Sequence, residues 1–129
     1  MTTYTSGITF LYYEDYDKAT FFFESILKLE IALTNSFGKV YKISEGAFVG
    51  AIKKSKSSVA PSYTGGTLVS LTTSDASTAY QEIKQFELPY ISKLEIIESI
   101  PLKSFFFKDF EGHDFEIQEF LKKEIQDIF

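Results

Sequence analysis

The chain repeats itself. Asp15-x-x-x-Ala19 recurs 60 residues on as Asp75-x-x-x-Ala79, and Glu45-Gly46 recurs 66 residues on as Glu111-Gly112. The same order of elements surrounds both copies. "GITFLYY" at 7–13 reads as a strand and "DYDKATFFFESILK" at 15–28 as a helix. Asp15 stands where an N-cap would, and Ala19, Phe22, Phe23, Ile26 and Leu27 recur at helical spacing. Three strands follow, "LEIALT" from Leu29, "KVYKIS" from Lys39 and "AFVGAI" from Ala47. After a polar stretch, "TLVSLTT" from Thr67 is a strand and "DASTAYQEIKQF" from Asp75 a helix. "YISKLEII", "LKSFFFKD" and "HDFEIQEF" then read as three strands, and "LKKEIQDIF" as a closing helix. A repeat limits the architecture more than any one element does. It predicts an α+β fold of two βαβββ modules in one domain. Module 1 spans about 7–52, a linker 53–66, module 2 67–119 and a C-terminal helix 120–129.

Composition then closes off several classes of function. The 129 residues contain no cysteine, which excludes disulfides, thiolate catalysis and cysteine-held zinc. No apolar run approaches the roughly 18–20 residues of a membrane span. "MTTYTSGITF" lacks the basic and apolar segments of a secretion signal, so a cytoplasmic location is expected. The net charge of −5 argues against nucleic acid, which needs clustered Lys and Arg. The basic run "KKSKSS" at 53–58 reads as a solvated loop. The acidic balance favours a cationic ligand. Phosphate-cradling glycine motifs are absent, and one histidine with no cysteine leaves little room for a nucleophile–histidine pair.

That histidine, His113, stands three residues before Glu116. On a helix the two would share a face. Asp109-Phe110-Glu111-Gly112 is a turn cluster, however, and Asp114-Phe115-Glu116-Ile117-Gln118 alternates polar and apolar as a half-buried strand does. On a strand, Glu116 sides with Asp114 and Gln118, and His113 with Phe115 and Ile117. The pair cannot chelate one ion. His113 is expected to be a surface or turn-packing residue. Glu116 reads as a cavity-side or rim carboxylate paired with a Lys or Tyr, as a ligand contact, or as a lone metal ligand. In the helix, three consecutive phenylalanines, Phe21 to Phe23, span about 200°, so at least one must face away from the sheet.

Three stretches carry a family resemblance: "ITFLYYEDYDKATFFFESILKLEI", "GGTLVSLTTSDASTAY" and "FFFKDFEGHDFEIQEF". Their pattern resembles the vicinal oxygen chelate superfamily, which includes glyoxalase I, extradiol dioxygenases and bleomycin-resistance proteins. The resemblance implies paired βαβββ modules forming an open, curved mixed sheet around a cavity, with metal ligands from four strands in the metal-using members. Carried over by position, those ligands fall on Ile8, Leu68 (Thr67 if the register slips), Gly50 and Glu116. Only Glu116 can donate through its side chain, so no metal site and no cofactor are expected.

If the face bearing Ile8, Phe10 and Tyr12 points to that cavity, parity puts Phe48, Gly50, Ser70, Thr72, Glu116 and Gln118 on the same space. Phe10, Tyr12, Phe48, Ser70, Thr72, Glu116 and Gln118 are then the candidate pocket residues. Equally, Phe10, Tyr12 and Phe48 could fill the space as core. The leading expectation is a metal-free small-molecule binding protein that sequesters a cationic or aromatic ligand, resembling the bleomycin-resistance branch. One alternative is a metal-dependent lyase, isomerase or dioxygenase of the same superfamily that uses Glu116, with Asp114 and Tyr12 contributing. Another is a non-catalytic interaction module using the aromatic surface of the first helix. A homodimer is expected, with no nucleic-acid or membrane partner.

Overall fold

In each half of the chain the first strand lies parallel beside the last. β1 (Gly7–Tyr13) pairs with β4 (Ala47–Lys53), placing Ile8 opposite Phe48 and Phe10 opposite Gly50. β5 (Leu68–Thr72) pairs with β9 (Asp114–Phe120), placing Leu68 opposite Asp114 and Ser70 opposite Glu116. Offsets of 60 on the first strand and 66 on the last turn one set of partners into the other. The repeat in the letters is therefore a repeat of hydrogen-bond register. Parallel neighbours require a long crossover, which the intervening helix and strands supply.

The computed structural model describes residues 3–57, 59 and 65–129. The chain divides into two compact units, Met1–Tyr63 and Thr64–Phe129. Each carries its own mixed sheet, as the βαβββ pattern predicts. Among the described residues, no helix is long and apolar enough to cross a membrane.

In the first unit the strand order is β1-β4-β3-β2, with β2 at Glu30–Thr34 and β3 at Gly38–Ser44. Asp15 caps helix α1 (Tyr16–Phe21), its Oδ1 accepting from the Lys18 amide at 3.1 Å. The expected single α-helix over 15–28 is not what forms. From Phe22 to Ile26 the helix widens into a π-helical turn, with the Leu27 amide donating to the Phe22 carbonyl at 2.9 Å. The widening accommodates the aromatic triplet. Phe22 and Phe23 are both fully buried, and Phe21 is the residue that faces out. The Phe23 ring stacks on Tyr41 at 5.0 Å and meets Tyr13 edge-on at 6.1 Å. The segment ends at Lys28, in the left-handed region at φ 58°, with the Leu29 amide bonded back to the Phe23 carbonyl.

The π turn also carries Glu24 over the sheet. One carboxylate oxygen accepts from Lys39 Nζ at 2.9 Å and from the Tyr41 hydroxyl at 2.8 Å. The Lys39 ammonium holds the Glu24 carboxyl below the usual range. Burial, and then the hydrogen bond to Glu24, pushes the Tyr41 hydroxyl well above its usual value.

In the second unit the order is β5-β9-β8-β6, with β6 at Tyr90–Ile91 and β8 at Leu102–Lys108, and with β7 (Glu95–Ile97) also pairing with β8. Asp75 caps helix α2 (Ala76–Ile83) as Asp15 caps α1. Tyr80 of α2 meets Phe105 edge-on at 5.0 Å, and Phe107 stacks on Phe115. The single strand expected over "YISKLEII" is broken. The Ser92 hydroxyl accepts from the Phe106 amide at 2.8 Å, the role a strand carbonyl would play, and the ladder is interrupted there.

The expected C-terminal helix over 120–129 shrinks to α3 (Lys123–Gln126), because Phe120 still pairs with Leu102 in the sheet. Lys53 closes β4, and Lys54–Lys56 form a 3-10 turn at the start of the stretch expected as a linker. Residues 58 and 60–64 of that linker lie outside the described residues. The two Glu-Gly turns do match. Gly46 and Gly112 hold φ of 77° and 87°, the left-handed region that glycine enters without strain.

Candidate functional site

Alternation along β1 sends Leu11 and Tyr13 into the core beneath α1. It sends Ile8, Phe10 and Tyr12 to the opposite face of the first sheet, where Ile8 and Phe10 remain 44% exposed. On that face lies a pocket of about 280 Å³ lined by Phe10, Tyr12, Asn35, Phe37, Ile52 and Lys56, all from the first unit. Tyr12 and Ile52 are register partners across β1 and β4. Asn35 and Phe37 come from the β2–β3 turn. There Asn35 Oδ1 accepts from the amides of Phe37 at 2.9 Å and Gly38 at 3.2 Å. This Asx-type turn is tied to β4 by the Lys53 amide, which donates to the Phe37 carbonyl at 3.0 Å. Lys56 arrives from the turn after β4.

The floor beside the pocket is set by Gly50. A Cβ at that position would stand 2.5 Å from Phe10 Cδ1 and 2.8 Å from Cε1. The Phe10 ring therefore occupies the space that a side chain at position 50 would need. Phe48, also expected at a pocket, sits half-buried opposite Ile8 and is not one of the residues lining this one.

The other four candidates lie on one face of the second sheet, opposite the face that buries Phe115 and Ile117. Ser70 Oγ donates to Glu116 Oε1 at 2.8 Å, and Gln118 Nε2 donates to Thr72 Oγ1 at 3.4 Å. Glu116 is 8% exposed. Its partner is a serine and not the expected lysine or tyrosine. Asp114 pairs with Lys108 at 2.6 Å. Thr72 also lines a separate pocket of about 330 Å³ with Thr73, Ser74, Phe120, Gln126 and Phe129.

The four positions that the family resemblance assigns to metal ligands offer one side-chain donor. Ile8 and Leu68 offer no donor, Gly50 has no side chain, and a ring fills its place. Glu116 alone remains, and one carboxylate holds such ions weakly. Among the described residues, no group of three or more His, Cys, Asp or Glu could hold an ion. His113 is the turn-packing residue and not a surface one. It is 6% exposed, and its Nδ1 lies 2.9 Å from Asp109 Oδ2. Asp109 Oδ1 also accepts from the amides of Glu111 at 3.0 Å and His113 at 2.9 Å, fastening the turn that launches β9.

Solved structures share this architecture. TioX from a Micromonospora species superposes with a TM-score of 0.74 at 17% identity, over 90% of this chain and 98% of its own. Lactoylglutathione lyase from Agrobacterium tumefaciens gives 0.70 at 18% identity, over 87% of this chain and 90% of its own. The chain has the vicinal oxygen chelate fold. A glyoxalase/bleomycin resistance protein/dioxygenase superfamily member from Sphaerobacter thermophilus gives 0.72 at 19% identity, over 88% and 95%. The sequence matches no family model and no curated protein. At these identities the likeness is one of fold, and this fold hosts many chemistries.

Sequence reasoning reached Phe10 and Tyr12 through strand parity. It passed over Asn35, Phe37, Ile52 and Lys56. Ile52 was within reach of the same parity argument, since it follows Phe48 and Gly50 at two-residue steps. Asn35 and Phe37 stood in a segment read only as a turn, and Lys56 in one read only as a solvated loop.

Proposed function

We propose that this protein binds a small, planar or apolar molecule and holds it without chemistry, in a pocket of the first module. The observation that carries the reading is the pocket of about 280 Å³ walled by Phe10, Tyr12, Phe37 and Ile52. An apolar, aromatic wall with a few polar groups is the usual composition of a small-molecule site, and flat rings gain most from such walls. The donor-poor set at Ile8, Gly50 and Leu68 supports binding without a metal. A cytoplasmic setting and a homodimeric assembly belong to the same proposal. The exposed Phe21 on the first helix supports a partner surface there, and sedimentation velocity measures the assembly.

Thermal unfolding with planar aromatic compounds tests this reading, because a ligand of the folded state raises its midpoint by mass action. A saturable rise that Phe37→Ala removes is the expected result. No rise with any ring compound overturns it. A saturable rise with nickel, zinc, cobalt, iron(II) or manganese on chelator-stripped protein, abolished by Glu116→Gln, would put a metal enzyme in its place.

A further inference from the structure

The polar groups of the pocket are of one kind. Asn35 has committed its Oδ1 to two backbone amides, so the side chain presents its NH₂ group to a ligand. Lys56 has no ion-pair partner among the described residues. The adjacent lysines are engaged, Lys54 Nζ with Glu14 at 3.5 Å and Lys53 over the Tyr16 ring at 4.9 Å. The Tyr12 hydroxyl makes no protein hydrogen bond among the described residues and can also donate. Among the described residues, no carboxylate lines the pocket.

The distribution of charge agrees. Seven lysines against six carboxylates leave residues 1–63 at +1, and six lysines against twelve leave residues 64–129 at −6. The acidity of the whole chain is thus the acidity of its second unit. It says nothing in favour of a cation at a pocket whose described lining residues all belong to the first.

We infer that the ligand of this pocket is an aromatic anion. Its ring lies against Phe10, Tyr12, Phe37 and Ile52, and its carboxylate or phenolate accepts from Lys56 and the Asn35 amide. A charge-assisted hydrogen bond is stronger than a neutral one, and Lys56 gives up no ion pair with a described residue on binding. The volume of about 280 Å³, just under the roughly 300–1,000 Å³ range of drug-sized ligand pockets, suits one ring or a fused pair. This inference rests on the pocket being a binding site.

Three probes with one ring system test it: naphthoate, naphthamide and naphthylmethylammonium, with dissociation constants measured by naphthyl fluorescence. Naphthoate is expected to bind about five- to tenfold more tightly than the amide, with the ammonium weakest. Lys56→Gln, at an exposed position that the core does not need, is expected to remove most of naphthoate's advantage over the amide. Equal binding of all three, preference for the ammonium, or an unchanged ratio in the variant overturns the anion assignment and leaves the pocket standing. Failure of all three to bind overturns the pocket reading and this inference with it.

Discussion

Ser70 Oγ lies 2.8 Å from Glu116 Oε1, across the register pair that joins β5 to β9. The equivalent pair in the first module is Phe10 and Gly50, where a ring covers a residue with no side chain. One position in the repeat thus holds a hydrogen-bonded carboxylate in the second module and an aromatic ring over a glycine in the first.

Ser70→Ala removes the donor that Glu116 Oε1 uses and leaves a carboxylate only 8% exposed without it. A loss of about 1–3 kcal/mol in urea unfolding is expected, since an unsatisfied buried acceptor costs its desolvation. Glu116→Gln keeps an acceptor for the hydroxyl and should cost less. A neutral Ser70→Ala would show that water already serves the carboxylate.

Gly50→Ala places a methyl group where the Phe10 ring lies and forces the ring to turn. A cost of about 1–3 kcal/mol is expected from overpacking, together with weaker binding of ring compounds because Phe10 also lines the pocket. Phe10→Ala added to Gly50→Ala should recover most of the stability. A double-mutant cycle with no coupling between the two positions would contradict the contact.

Tyr41 predicts an alkaline limit. Its folded pKa is raised by burial and by the bond to Glu24, while an unfolded tyrosine ionises near about 10. The stability it carries is complete below that value and is lost as the pH rises above it. Tyr41→Phe should flatten the decline of the thermal midpoint above about pH 10. Glu24 has the opposite sign. Its carboxyl is held low by Lys39, so its contribution is present above the ordinary carboxylate pKa, about 4.3, and fades as the pH falls through the lowered folded value. Glu24→Gln should remove that acid slope, and an unaltered slope would count against the Lys39 contact.

Asp109→Ala strips an acceptor from two backbone amides and the His113 ring in a turn where Asp109 is 1% exposed. A loss of about 2–4 kcal/mol is expected. Phe110→Ala, half-buried in the same turn, serves as the local control and should cost less. Chemical unfolding of both variants decides.

The fold was legible because two separate layers of the sequence agreed. Asp15 and Asp75 are both caps, Gly46 and Gly112 both take left-handed turns, and the strand partners keep the same offsets. Local chemistry of that kind acts within a few residues, and a sequence shows it directly. What escaped depended on contacts between segments. The π turn answers to how Phe22 and Phe23 share the space over Tyr41, and no periodicity announces it. The break at Ser92 depends on a side chain replacing a carbonyl opposite Phe106. At the pocket, strand parity found Phe10 and Tyr12. Asn35, Phe37 and Lys56 are joined to them only by the closure of the β2–β3 turn against β4.

Gly50 also bears on what the protein could become. Every glycine codon is a single base change from an acidic one, so this gene stands one step from a carboxylate at the position matching Glu116. The Phe10 ring occupies that carboxylate's place, so the step leads nowhere until Phe10 shrinks or swings aside. A change at position 50 made first must turn the ring, and a smaller residue at position 10 made first removes that cost, so a contact between two side-by-side strands biases the order in which mutations can accumulate here.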